Sequence, residues 1–505
     1  MNEHSGTNIQ LLGPFDSFRD YLQALEHAGL LVRIKEMDQD RYEATGFAYR
    51  LQDRYGNERA PAFLIERVKV DGKWIDGPVI GNPFGSWASE AIGFGLQPSE
   101  MSQEADYLAV LEHLKTKAKD DGQWPKVPPV EVERQSAPCK EVVLKGDEID
   151  ITTFQFLKGN PSEGGRYINS ANVVMNDPEL GKNVGTYRCQ IKGPRKLGLN
   201  PEPGQHGWRI LMAKKRRGDK IAQVALALGT DPIMFSLSGC KAAAPGEDEL
   251  ELVGGVKGRP VDVVLCETSD LMVPAQAEMI IEGEVPLDVQ EPEGPYAEMW
   301  GYLGLEKPRN FIVNVTCVTH RHRPWVTNNF MTPMRGFYTG IMEANAFLRF
   351  KKMAPSLTGI HSPAGMPGVT ILSIEKRFPG EAINTALPIA SRFNIAKAII
   401  VVDNDVNILD LRAVMHAVGS RWQPHPASLK IEQMQGMVVD PSTQQNGLTS
   451  KMVIDATRQL PAEGGPDSYP PVSRQLLSQL QPDVFDYVDS RWAEYWRDRR
   501  PRNVH

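Results

Sequence analysis

Residues 291–302 read EPEGPYAEMWGY and set two carboxylates, Glu293 and Glu298, five positions apart across a Gly294–Pro295 break. Gly-Pro is a strong turn and helix-break signal, so the segment reads as a loop, not a helix face. Two acids beside two aromatics, Tyr296 and Trp300, are equipped for proton transfer. The same residues read equally well as a solvated acidic turn, and the segment alone does not decide between the two.

Other polar residues are scattered singly. Asn183 and Arg188 flank a predicted strand over 184–191. Strict alternation puts them on opposite faces, so one shared site requires Asn183 in the preceding turn, or a bulge. Arg188 shares its face with Thr186 and Gln190, and on pattern alone an exposed strand arginine is the simpler reading. His206 opens a basic helix and reads as a polar cap, while Glu249, in EDELE at 247–251, reads as part of an acidic surface turn. One Asn, one His and one Glu make a hard-leaning set suited to Mn²⁺ or Mg²⁺, but their spacing does not specify it. The run Lys214–Lys215–Arg216–Arg217 ends in Gly218. Cations favour a helix C-terminus and glycine caps it, which outweighs a phosphate or nucleic-acid patch. No GxxxxGK[ST] loop, no strand followed by GxGxxG and no HExxH occurs, and GGVKG at 254–258 stands alone.

Three textures carry these residues. Residues 1–120 read as mixed α/β, with helices over 15–26, 43–52 and 103–117 and strands over 30–34, 62–68 and 77–81. Prolines 125, 128 and 129 mark a connection. Beyond it, 142–144, 167–175, 184–191, 261–265, 279–284 and 311–319 are β-like and separated by turn residues, which predicts an antiparallel sheet or small barrel. Within it, 170–175 and 184–191 flank NDPELGKN as a hairpin. One clear helix, 205–217, interrupts the strands. A longer helical stretch over 334–353 leads to a β–α–β–α rhythm through 369–375, 382–393, 398–402 and 411–420, which predicts a further α/β domain, and 475–497 reads as helical.

The chain has 505 residues, beyond the usual size of one core, and a net charge of −7, which disfavours a general nucleic-acid binder. No run is apolar enough to span a membrane, and MNEHSGTNIQ lacks the pattern of a signal peptide. Five scattered cysteines without a CxxC fit a reduced, cytoplasmic protein.

Taken in order, the motifs resemble those of the UbiD family of reversible decarboxylases, which use prenylated flavin mononucleotide. The resemblance begins at FDSFRDYLQALEHAGLLVRI (15–34) and passes through Asn183-x4-Arg188, His206 and ALALGTDP (225–232). It continues through DELELVGGVKG (248–258), VPAQAEMIIEGE (273–284) and EPEGPYAEMWGY, and ends at NGLTSKMVIDAT (446–457).

The resemblance implies a multidomain α+β and α/β fold. It comprises an N-terminal α/β domain (1–125), a central split β-barrel that binds prenylated FMN (126–332), a linker helix (333–356) and a C-terminal α/β oligomerisation domain (357–505). It implies that Asn183, His206 and Glu249 hold Mn²⁺, or another divalent cation, against the flavin phosphate, and that Lys451 contacts that phosphate. Gln205 and Arg188 would lie beside the cofactor, and backbone around Ser238 and Cys240 would line it together with a K⁺ site. Glu293, Arg188 and Glu298 match a catalytic network in which Arg188 holds the departing carboxylate bidentately, Glu298 protonates the remaining carbon and Glu293 orients Arg188. The implied reaction is the reversible, non-oxidative decarboxylation of an aromatic or heteroaromatic (α,β-unsaturated) acid through a covalent adduct with the cofactor, releasing CO₂. Met299, Trp325, Phe330 and the MTPMRGF segment from 331 would shape the substrate pocket. A flavin prenyltransferase would supply the cofactor, and the assembly would be a homodimer or hexamer. A catalytically silent flavin-binding scaffold is the alternative, which the complete Glu293–Arg188–Glu298 set opposes.

Overall fold

The computed structural model describes residues 10–99, 102–119, 121–240, 242–244, 246–330, 335–444 and 447–495. Its elements are arranged around three main sheets. The first has four strands in the order Leu31–Asp38, Ala62–Val70, Lys73–Gly81 and Val326–Asn328. The last of these comes from far downstream and pairs parallel to Lys73–Gly81, so the segment after the central sheet is stitched back into the N-terminal one. Phe18–His27 packs on this layer; Ser17 caps it by accepting the Asp20 amide, and Phe18, Tyr21, Leu22 and Leu25 make its buried face.

The central sheet has ten strands, and every pairing in it is antiparallel. Its path starts at Tyr167–Ile168 and runs through Lys307–His320, Met279–Pro286 and Ile221–Leu228 to Ala171–Asp177 and Gly181–Thr186. The chain steps from Ile168, at one end of this path, to Ala171, beside the other end, across two residues, so the sheet must curl. No closed barrel forms: among the described residues the end strands do not pair with each other. The expected barrel is therefore a curled, open antiparallel sheet.

Both faces of this sheet are buried, and period-two alternation sorts the side chains between them. Val224, Leu226 and Leu228 join one core with Val173 and Met175, while Ala225 and Ala227 join the other with Val174 and Val184. This is why 224–228 (VALAL) is apolar throughout, in a strand absent from the segments predicted above.

The third sheet follows the order Leu357–His361, Val369–Ile374, Ala398–Asp403, Leu448–Asp455 and Ser428–Gln435. Its three inner strands are parallel, with Glu381–Arg392 as the crossover between the first two. The linker helix is Thr339–Lys351, shorter than the 333–356 expected; residues 333 and 334 lie outside the described residues, as do 496 and 497 of the last predicted helix. Among the described residues no helix is long and apolar enough to cross a membrane. All five cysteines are buried as free thiols.

Candidate active site

The predicted strand 184–191 is two strands. Gly181–Thr186 pairs with Ala171–Asp177, and Cys189–Gly193 pairs with Tyr167–Ile168 and Lys196–Leu199. Between them the chain changes partner at Tyr187 and Arg188, where the Arg188 carbonyl accepts the Asn200 amide at 3.2 Å. This break, not a bulge, separates Asn183, which stays inside the first strand, from Arg188.

The acidic segment is not a solvated turn. Gln290–Glu293 is a strand paired with Lys307–His320, and Tyr296–Ala297 forms a short hairpin with Leu303–Gly304. Gly294 lies between them at φ +100, and a Cβ there would stand 3.3 Å from the Glu306 Cα and Leu305 carbonyl, so the bend requires glycine. Glu293 is 1% exposed and Glu298 8%.

Arg188 meets both acids. Its Nε and Nη2 donate to the two oxygens of Glu293 at 3.0 and 2.9 Å, and Nη1 donates to Glu298 Oε1. The side-on fork of the guanidinium is thus already spent on Glu293, and only the end of the group, on Nη1 and Nη2, has N–H bonds to spare. Burial pulls the Arg188 pKa down, but the two carboxylates outweigh it and hold the guanidinium above its ordinary value. Burial raises the Glu298 carboxyl above the ordinary carboxylate range despite the opposing pull of Arg188. Tyr296 lies under the guanidinium, with Cζ 4.6 Å from the ring centroid. A second layer fixes the loop. Gly164 donates to the Pro295 carbonyl at 2.8 Å, and Glu163 Oε1 accepts the Ala297 amide at 3.2 Å while Oε2 takes the Gly159 and Asn160 amides.

Two cavities are lined by chain neighbours of this group. One, of about 580 Å³, is polar and is lined by Asn183, Gln205, His206, Ser238, Cys240 and Glu249. Six of the sequence-predicted residues therefore line one cavity. Glu249 is the first residue of the Glu249–Lys257 helix and buried, which overturns the surface-turn reading; its Oε2 accepts the Val184 amide at 2.8 Å and Oε1 lies 3.8 Å from His206 Nδ1. Burial raises the Glu249 carboxyl and pushes the Cys240 thiol up to about 12. His206 opens its helix but is not its cap, a position that Gln205 occupies; Gly218 ends that helix at φ 92, as the charge run predicts. Ser238 Oγ donates to the Phe235 carbonyl at 2.8 Å and lies 2.9 Å from Thr186 Oγ1.

The second cavity, of about 320 Å³, is mostly apolar and includes Met299, Phe330, Phe337, Met342 and Ile395. Thr186 and Gly239 line both cavities, so the two adjoin; Arg188, Glu293 and Glu298 line neither, but their chain neighbours Tyr187 and Met299 line the polar and the apolar one. Trp325 does not line it and instead stacks under Arg19, 5.1 Å from the guanidinium carbon. Residues 331–334 of the MTPMRGF segment lie outside the described residues.

Lys451 lies outside the polar cavity. It is 2% exposed, burial lowers its pKa to about 8, and its Nζ donates to the carbonyls of Ala390 and Phe393 at 2.7 and 2.9 Å. Those carbonyls bracket Arg392, which does line the cavity, as does Arg209. Sequence reasoning passed over Arg392, Arg209 and Glu163; the only local signal for Glu163 is an acid beside the double glycine of SEGGR.

The comparisons agree with this architecture. Residues 22–107, 130–333 and 337–456 match, in that order, the N-terminal, Rift-related and C-terminal domains of 3-octaprenyl-4-hydroxybenzoate carboxy-lyase (UbiD). A phenolic acid decarboxylase of Sedimentibacter hydroxybenzoicus is 29% identical over 90% of this chain and 93% of its own length. Another, from Escherichia coli O157:H7, is 28% identical over 95% of this chain and 98% of its own. The UbiD-class enzyme HmfF from Pelotomaculum thermopropionicum, solved in complex with FMN, superposes with a TM-score of 0.77 at 28% identity, covering 93% of this chain and all of that one. The closed form of the Sedimentibacter hydroxybenzoicus vanillic acid decarboxylase gives a TM-score of 0.79 at 27% identity, covering 96% of this chain and 99% of its own. With all three domains matched in order and the whole fold shared with such enzymes, this chain belongs to the UbiD family of carboxy-lyases.

Proposed function

We propose that this protein decarboxylates an aromatic or heteroaromatic acid with prenylated FMN, reversibly and without net oxidation. The observation that carries the reading is Arg188, gripped by Glu293 and Glu298, with the next residues along the chain, Tyr187 and Met299, lining a polar and an apolar cavity that adjoin.

The residues present fit the cofactor. The polar cavity offers Arg209 and Arg392 to a phosphate. Asn183, His206 and Glu249 bring an amide, an imidazole and a carboxylate to the same cavity; this donor set would hold Mn²⁺, which would offset the charge of the phosphate. Backbone around Ser238 and Cys240 would carry K⁺. In this reading Lys451 serves the phosphate by fixing the helix end that presents Arg392. Prenylated FMN, when bound, supplies the electron sink that decarboxylation at an sp² carbon needs.

The chain's own groups do the rest. Arg188 meets the substrate carboxylate with the end of its guanidinium, while Glu293 holds the plane of that group. Met299 and Phe330 shape an apolar chamber for a flat ring. Glu298 keeps its proton to higher pH than an ordinary glutamate, because it is buried, and returns it to the ring carbon once CO₂ has left. The same reading takes 1–125, 126–332 and 357–505 as the three domains, joined through 333–356, with a flavin prenyltransferase as cofactor supplier and a homodimer or hexamer as the assembly.

The test is to purify the protein with and without co-production of a flavin prenyltransferase, record its visible spectrum and assay CO₂ release from a panel of aromatic acids. A modified-flavin spectrum with turnover is expected only with the prenyltransferase. Absence of bound flavin under both conditions would sink the proposal, and flavin without turnover on any acid would favour the silent scaffold.

A further inference from the structure

Asn200 is tied to both members of the Arg188–Glu293 pair. The strand Lys196–Leu199 runs antiparallel to Lys307–His320 with Leu199 opposite Phe311, so the next residue, Asn200, comes beside Asn310. Lys307–His320 also pairs with Gln290–Glu293, where Glu291 stands opposite Asn310 and, past a register shift, Glu293 opposite Lys307. One stretch, 307–310, therefore links Asn200 to the acid that grips Arg188. Asn200 and Asn310 are both buried.

The Asn200 backbone amide donates to the Arg188 carbonyl at 3.2 Å, where the chain changes strand partner. Its Oδ1 accepts from Asn310 Nδ2 at 2.8 Å and from Lys307 Nζ at 3.0 Å, and its Nδ2 donates to Glu202 Oε1 at 3.1 Å. An ammonium can only donate and an ionised carboxylate can only accept, so these partners allow one orientation of the amide. Asn310 is fixed in the same way. Its Oδ1 accepts the Phe311 amide at 2.9 Å, which leaves Nδ2 for Asn200 and, in a longer contact of 3.4 Å, for Glu293 Oε2. Lys307 also pairs with Glu202, which closes the network. The chain then runs on to the polar cavity: the Glu202 amide donates to Gln205 Oε1 at 2.7 Å, and the Gln205 amide to the Glu202 carbonyl at 3.0 Å, directly before His206.

The fork between Arg188 and Glu293 fixes the two groups relative to each other. It does not fix where the pair stands, because two long side chains can pivot together. A hold on the Arg188 main chain and a second hold on the Glu293 carboxylate remove that freedom, and both lead back to Asn200. A fully satisfied buried polar network is rigid enough for the task.

We infer that Asn200 is a positioning residue for the reaction: by holding the Arg188 carbonyl and, through Asn310, the Glu293 carboxylate, it fixes where the guanidinium meets the substrate. The inference rests on the decarboxylase reading above and adds the residue that places its central cation.

The test compares Asn200→Leu, Asn310→Ala and the paired exchange Asn200→Asp with Glu202→Gln, all flavin-loaded. In the paired exchange the aspartate accepts from Asn310 and Lys307, the glutamine amide donates to it, and the total charge is unchanged. Flavin and metal content are measured for each, with kcat/KM for whichever of benzoate, 4-hydroxybenzoate and indole-3-carboxylate turns over fastest. Asn200→Leu should lower kcat/KM roughly 10- to 100-fold with flavin and metal unchanged. Asn310→Ala, which keeps the bond to the Arg188 carbonyl, should lower it by less, and the paired exchange should recover most of the loss. A crystal structure of Asn200→Leu should show the Arg188 guanidinium displaced by roughly 1 Å.

An unchanged kcat/KM in both single variants, flavin loss in step with activity, a paired exchange no better than Asn200→Leu, or a guanidinium left in place would each overturn the inference. If Asn200→Leu does not fold, Asn310→Ala and the paired exchange carry the same comparison. If the flavin-loaded wild type turns over none of the acids, the decarboxylase reading falls, while the place of the guanidinium in the crystal structures of the variants still decides the role of Asn200.

Discussion

Glu163 accepts the Ala297 amide at 3.2 Å, one residue before Glu298, and so ties the 159–164 loop to the backbone that carries the acid. Its other oxygen holds Gly159 and Asn160. Glu163→Ala is expected to lower kcat about 10- to 100-fold and stability by about 1–3 kcal/mol, with flavin content unchanged. Steady-state kinetics, thermal melts and the flavin absorbance of the same preparations check this; flavin loss in step with activity would show a general collapse instead.

Glu298 and His206 are expected to fail differently. Glu298→Gln removes the proton donor but touches nothing in the polar cavity, so turnover should drop by at least 10²-fold with cofactor retained. His206→Ala empties one position of the Asn183–His206–Glu249 wall, so metal and flavin should be lost together. Metal analysis and flavin content of both variants decide; equal cofactor loss would mean that the roles are wrongly divided.

The raised Glu298 carboxyl has a sign in both activity and stability. As the proton donor it should lose function as pH rises through its elevated pKa, giving kcat a basic limb that Glu298→Gln lacks. For folding, a carboxyl whose pKa is higher in the native state is best accommodated below its unfolded value of about 4.3, and stability declines as pH rises above it. Glu298→Gln should therefore gain thermal stability relative to wild type between acid and neutral pH, because Arg188 keeps its paired contact with Glu293. Melts across that range test this, and a variant less stable at neutral than at acid pH, relative to wild type, would contradict it.

Lys451 and Arg392 should separate on the same two measurements. Arg392→Met removes a cation from the cavity wall and should weaken flavin retention with little change in melting temperature. Lys451→Met leaves the Ala390 and Phe393 carbonyls without their shared donor and should lower both. If Lys451→Met lost flavin at unchanged stability, a direct phosphate contact would be the better account.

The sequence by itself determined many of the helices and strands and their order, because periodicity, caps and turn residues act over a few positions. The Gly218 cap and the β–α–β rhythm after 369 are local signals of this kind, whereas the strand at 221–228 is not among the predicted ones. The family motifs likewise singled out Arg188, Glu293, Glu298 and the residues that share the polar wall. Only the tertiary structure decided what those residues face. Glu293 and Glu298 lie over a hundred positions from Arg188, and antiparallel pairing with a change of strand partner at Tyr187–Arg188 brings them into one buried ion cluster. Lys451 shows the converse: its motif is legible, yet its ammonium donates to two carbonyls at a helix end, which no spacing rule reveals.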